Sequence, residues 1–193
     1  MDRKETRGSS DIPLAISNYL LLYSLIAFLG WSIEILFCFF ESGRFTDRGF
    51  LTLPLCPIYP SAIFLLYFTC GVPRNFRGAL TLINQRKVAT LIYVLLCFII
   101  PSAGELLFGY IFDKFFGVRL WDYSYFPFDL NGYICLAISL LWGLLLFLFM
   151  AFVFERLKGL VFRVPRWASY FISVFLIITV TLDAIKCFSG VID

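Results

Sequence analysis

Apolar and polar stretches alternate along this chain on the length scale of a lipid bilayer. Residues 1–17 are polar, with Asp2, Arg3, Lys4, Glu5 and Arg7, and an apolar run then extends from Asn18 to Phe40. Further apolar runs cover 54–72, 88–112, 130–154 and 168–188. A hydrocarbon core about 30 Å thick takes roughly 20 mostly apolar residues in a helix. The pattern therefore predicts an all-α, polytopic transmembrane helical bundle of about five spans: one integral membrane domain over 18–193 behind a polar amino terminus. The first run is too long for a signal-peptide core and lacks a small-residue cleavage pattern after it, so it reads as a retained span.

The second run differs from the others because Pro54, Pro57 and Pro60 interrupt its first half. Only Ile58 to Gly71 is free to be helical, about 21 Å at 1.5 Å per residue, which falls short of the hydrocarbon thickness. Lipid cannot satisfy the backbone of Leu51–Pro57, so that stretch must lie at the interface or under other protein. Whether the second span crosses fully or re-enters decides the side of everything after it. Residues 73–87, with Val72, Phe76, Leu80 and Ile83 at helical spacing among Arg74, Arg77, Arg86 and Lys87, read as a short amphipathic surface helix. The segment 155–167 is also basic.

Composition sharpens the class. Of 193 residues, 61% are hydrophobic and 15% charged, against roughly 45–50% and about 25% in soluble domains. No His is present, which removes Ser-His-Asp and Cys-His catalysis, His-ligated zinc and imidazole proton relays. The chain has no phosphate-binding loop, no G-x-G-x-x-G and no C-x-x-C, so it cannot hydrolyse ATP in the P-loop manner. No cofactor is expected and no metal pattern is visible. The net charge of +3 reflects loop composition and carries no nucleic-acid signal.

With five spans, 11 of the 16 Lys and Arg residues fall on the side of the amino terminus and 5 on the other. The positive-inside rule then puts the amino terminus in the cytoplasm and the carboxyl terminus outside. Three acids interrupt the spans: Glu34, Glu105 and Asp183, each roughly 7–11 Å below the outer face at 1.5 Å per residue. Ionisable groups at such depth usually face a bundle interior or a wet cavity, so the three suggest one polar pocket opening outward. For Glu34 and Glu105 the competing reading is structural, as partners that pin Arg44, Arg48 or Arg119. For Asp183 the structural reading is stronger, since Lys186 lies on the same helix face.

The two loops at that face are dense in aromatics and charges. One reads ESGRFTDRGFLTLPLCPIYP over 41–60 and carries Arg44 and Arg48; the other reads DKFFGVRLWDYSYFPFDLN over 113–131 and carries Arg119, Trp121, Asp122 and Tyr123. They read as packed lids, with Trp121, Asp122 and Tyr123 either capping a solute through a cation–π face or belonging to an interfacial aromatic belt. Asn18 and Asn131, at span starts, read as helix caps before ligands. Cys38, Cys56, Cys135 and Cys187 fall near the outer face, where an oxidising medium permits a disulfide, and the sequence assigns no pairing.

Gly30-Trp31 followed by Glu34, then Gly43-Arg44-Phe45, Asp47-Arg48-Gly49-Phe50-Leu51 and Cys56-Pro57-Ile58-Tyr59, together with Gly104-Glu105, Trp121-Asp122-Tyr123-Ser124, Phe128 to Cys135 and Trp142-Gly143, resemble the CmpB-like family of small bacterial membrane proteins described as putative ABC-transporter permeases. The resemblance spans about Tyr19 to Phe154. The chain departs from the family pattern at Asp47, Leu53 and Pro60-Ser61. Membership implies a multi-pass protein of the bacterial plasma membrane and suggests transport, without a substrate.

Three function classes follow. The first is a transporter or permease subunit with an outward acidic and aromatic pocket for a small polar or cationic solute. The second is a membrane-embedded enzyme or binding protein acting on a lipid or lipid-linked group, and the third an assembly subunit of a membrane complex. The enzyme reading is the weaker, with no catalytic residue assigned. Partners open to the chain are the lipid bilayer, a separate ATPase or other membrane subunit, and a second copy of itself; nucleic acid is not among them.

Overall fold

A computed structural model describes residues 5–45 and 49–192, with side chains described for 14–45 and 49–190. The first helix, α1, runs Glu5–Ser42. It begins well before the first apolar residue of the span, so Asn18 lies inside the helix and is not a cap. Its apolar stretch, Leu14–Ser42, is long enough to cross a membrane.

The prolines act on α2 as the sequence predicts. Helix α2, Ile58–Cys70, starts immediately after Pro57, with Pro60 in the first turn, where a missing N–H costs nothing. Its 13 residues make about 20 Å of helix. The preceding segment is irregular and is anchored by the Cys56 amide donating to the Ala27 carbonyl of α1 at 3.1 Å.

Beyond α2 the structure corrects the expected amphipathic helix. Strands β1 (Gly71–Val72) and β2 (Asn75–Phe76) form a small antiparallel hairpin, followed by a 3-10 helix over Gly78–Leu82. Pro73 cannot continue a helix, and Gly71 and Gly78 take φ of +77° and +56°, a region open to glycine and hostile to other residues. Val72, Phe76, Leu80 and Ile83 still pack inward as a set, reaching the core from a different backbone.

Helix α3, Arg86–Phe115, contains Pro101. The long loop after it ends in a second hairpin, β3 (Asp129–Leu130) against β4 (Ile134–Cys135). Its tip holds Asn131 and Gly132 at φ of +54° and +73°, the Asn-Gly chemistry that such turns demand. Helix α4 (Leu136–Leu148), a π-helical turn (Phe149–Val153) and α5 (Phe154–Val161) make one continuous apolar stretch, and α6 (Arg166–Ile192) closes the chain. Among the described residues four stretches are long and apolar enough to cross a membrane, with α2 as a shorter fifth apolar helix. The protein is an all-α, multi-pass membrane bundle.

Side-chain and backbone contacts fix the two ends. Tyr125 of the second lid hydrogen-bonds Glu41 at the end of α1, so both lids lie at one end. At the other, the basic end, Tyr93 donates to the Gly71 carbonyl at 3.1 Å and Lys158 reaches Tyr67 at 2.8 Å. Helix α2 therefore carries the chain from the lid end to the basic end, despite its shortness.

The main core, around Leu22, Ile26, Leu66, Tyr67, Tyr93 and Phe154, fills the basic half between α1, α2, α3 and α5. Helices α3 and α4 approach closely where the ring of Phe98 sits on Gly143, leaving no room for a side chain there. Helix α6 packs along α1, and the contact is polar and buried near the start of α6. Ser17 and Ser169 share a hydrogen bond of 2.7 Å, Ser169 donates to the Asn18 side-chain oxygen at 2.7 Å, and Ser173 donates to the Ser17 carbonyl at 3.0 Å. Lipid tails are as apolar as Leu, so small residues and interhelical hydrogen bonds are what hold such helices together.

Candidate functional site

Because α2 begins only at Ile58, the lid half of the bundle lacks one helical turn after another where its neighbours continue. The irregular Gly49–Pro57 segment only partly fills that space. A cavity of about 730 Å³ remains, within the range of about 300–1,000 Å³ typical of small-molecule sites, walled by α1, the Gly49–Pro57 segment, α2, α3, α4, α6 and the second lid.

Glu34 from α1 and Glu105 from α3 both line this cavity and are near enough to interact electrostatically. The remaining wall is overwhelmingly apolar, and none of the described lining residues is Lys or Arg. The Oε2 atom of Glu105 is buried and finds no hydrogen-bond partner among the described residues. A buried carboxylate oxygen without a partner is costly in a low-dielectric site.

Tyr59 stands with both carboxylates and was not singled out from the sequence. Gly30 makes room for it: a β-carbon there would lie 2.6 Å from Cγ and Cδ2 of the Tyr59 ring and 2.8 Å from its Cβ. The Tyr59 ring also meets Trp142 edge-on, with centroids 5.5 Å apart. The spacing Gly30…Glu34, one helical turn on one face, is the signal that linked them. Trp121 and Tyr123 line the same cavity from the lid.

The other sequence-designated residues serve the lids. Trp121 donates its indole N–H to the Tyr133 carbonyl at 2.8 Å. Arg119 donates to the Asn131 carbonyl at 2.5 Å, pairs with Asp122 at 3.4 Å and lies over the Tyr133 ring. Asp122 accepts from the Ser124 amide at 2.9 Å, which together with Arg119 holds its carboxyl below the usual range. Tyr133 donates to Asp113 at 2.5 Å, and that bond raises its hydroxyl above the usual phenol value. Asn131 is the exposed tip of the β3–β4 hairpin; the residue capping α4 is Cys135. Arg44 is exposed and outside the cavity wall, and Arg48 lies outside the described residues.

Asp183 does not line the cavity. Its carboxylate accepts from the Thr52 hydroxyl and, at 3.0 Å, from the Leu53 amide, which ties α6 to the segment that roofs the cavity. All six cysteines are free thiols, with Cys38 and Cys135 buried. No group of three or more potential ligands could hold a metal ion among the described residues.

A family model described as "Putative ABC-transporter type IV" matches residues 21–188, and the chain belongs to that family. No curated protein and no solved structure matches it.

Proposed function

We propose that this family member is the solute-binding membrane subunit of a transporter, and that its lid-end cavity takes a small cationic solute on Glu34 and Glu105. The observation that carries this reading is the buried, unpartnered Oε2 of Glu105 in a cavity shared with Glu34. Two carboxylates in apolar surroundings repel one another, and a bound cation relieves the repulsion and gives the unpartnered oxygen a countercharge. Tyr59, Trp121, Tyr123 and Trp142 add ring faces to the same wall, and aromatic rings beside a carboxylate are the chemistry that recognises substituted ammonium groups.

The excess of Lys and Arg at the opposite end supports an outward-facing cavity, with the amino terminus in the cytoplasm. Energy would come from a gradient or from a separate ATPase docked on the basic end, where Arg74, Arg86, Arg156 and Arg163 are exposed. The lipid-processing reading gains little support, because Arg119 is engaged within its lid and Arg44 lies off the cavity, leaving no described cation to clamp a phosphate.

Equilibrium dialysis of tetraethylammonium against the protein in nanodiscs tests the proposal. Wild type binds, and the Glu34→Gln/Glu105→Gln double variant loses binding by at least 100-fold while its thermal unfolding is unchanged. Equal binding by the double variant defeats it.

A further inference from the structure

The walls of the cavity are not closed on all sides. Helix α6 packs along α1, whereas α3 packs against α2 and α4. Between α3 and α6 the contact is made at the lid end by rings: Phe188 meets Phe50, Phe112 and Phe116 at centroid distances of 4.6, 6.4 and 5.6 Å. Below those rings Val180 and Ala184 of α6 and Ala103 and Leu107 of α3 line the cavity. Several lining side chains also belong to the outer surface of the bundle, Leu107 at 56%, Ile99 at 59% and Leu65 at 54% exposure. In a membrane these faces meet acyl chains. Lining residues on α2 and α3 thus also face the lipid, and α3 and α6 meet at the lid end through rings.

We infer that the solute is a membrane-partitioned amphiphile, with a substituted ammonium head on Glu34 and Glu105 and an apolar tail lying between α3 and α6, and that it enters sideways from the bilayer. This rests on the carboxylate reading of the cavity above. Charge complementarity selects the occupant: the head must be cationic because the described polar wall is acidic, and the tail must be apolar because the rest of the wall is. Small side chains at Ala103 and Ala184 leave width for a single chain on the two walls. An amphiphile already dissolved in the bilayer reaches the space between α3 and α6 at high local concentration, since every buried methylene favours partition.

The test uses the full chain in phosphatidylcholine nanodiscs and a dodecyltrimethylammonium probe carrying a terminal diazirine. After illumination, peptide mapping is expected to place the label on α3 and α6, around Leu107, Val180 and Ala184, with at least tenfold less in the Glu34→Gln/Glu105→Gln variant. Ala184→Trp, which fills the space between α3 and α6, should cut labelling at least tenfold; Val180→Phe serves if the first variant does not fold. Label confined to the lids or other helices, or equal labelling in both gap-filling variants, overturns lateral entry and leaves the carboxylate site standing. Undiminished labelling between α3 and α6 in the double Gln variant removes the cationic head from the inference. Two cross-linked copies per nanodisc with the gap unlabelled would show that a second chain covers it, which also overturns the inference. Loss of tetraethylammonium binding in wild type itself marks failure of the underlying cation reading.

Discussion

Gly30→Ala places a methyl group against Tyr59. The new β-carbon would sit 2.6 Å from Cγ and Cδ2 and 2.8 Å from Cβ of Tyr59, whereas carbon atoms settle at about 3.5–4.0 Å. A displacement of about 1 Å is required. Rotating the ring does not supply it, because Cβ moves only with the backbone, so the start of α2 must shift away from α1. Forced insertions of this kind cost about 1–3 kcal/mol. Reversible unfolding in mixed micelles should show that loss, and cation binding should weaken because Tyr59 leaves the carboxylate pair. Tyr59→Gly removes all three close atoms. In that background Gly30→Ala should become stabilising by about 0.5–1 kcal/mol, the ordinary gain of Ala over Gly within a helix. Gly159, which has nothing within 4 Å of its would-be β-carbon, gives the matching control, and Gly159→Ala should stabilise wild type. If Gly30→Ala is neutral and shows no coupling to Tyr59, the close approach of α1 and α2 is wrong, and with it the geometry of the cavity.

Asp183→Ala should free the Thr52–Leu53 segment, read as faster maleimide labelling of Cys56 in nanodiscs, while Asp183→Asn, which keeps an acceptor, should fall between the two; unchanged labelling in both rejects the anchoring role. Ser169→Ala leaves Ser17 and Asn18 without their shared partner and should cost about 0.6 kcal/mol and no more than about 1.7 kcal/mol, the measured span for interhelical hydrogen bonds in membranes; it should leave cation binding intact. The second lid should keep its structure across a wide pH range, followed by Trp121 fluorescence. The Asp122 carboxyl is held below its unfolded value of about 3.9, so its contribution is complete above about pH 4 and is lost as pH falls through the lower folded value. Tyr133 is raised above about 10, so its contribution is complete below about pH 10 and is lost as pH rises through the folded value. A transition near pH 6–7 in the lid would contradict both assignments.

The bundle was legible because apolar runs of bilayer length leave the chain few choices, and Pro54, Pro57 and Pro60 marked the short helix that opens the cavity. Glu34 and Glu105 were legible for the same reason: a carboxylate inside an apolar run has few cheap places to go. The residues around them were less so. Tyr59 looks like any interfacial aromatic until Gly30 is seen to receive its ring, and Ser17 and Ser169 are separated by most of the chain, so their hydrogen bond leaves no local signal. The segment 71–83 was misread because its apolar residues recur at helical spacing while Gly71, Pro73 and Gly78 forbid the helix; backbone chemistry outweighed the periodicity. Asp183 feels Lys186 on its own helix, and an amide and a hydroxyl from the roof of the cavity also reach it, contacts that no pattern in the sequence announces.

Infrared difference spectroscopy reports most directly on the claim that Glu34 and Glu105 hold a cation. Addition of a tetraalkylammonium ion to the protein in nanodiscs should change the carboxylate stretching bands, with the change reduced in Glu105→Gln and absent in Glu34→Gln/Glu105→Gln. A difference spectrum without carboxylate bands, or one that the double variant reproduces, would contradict the account.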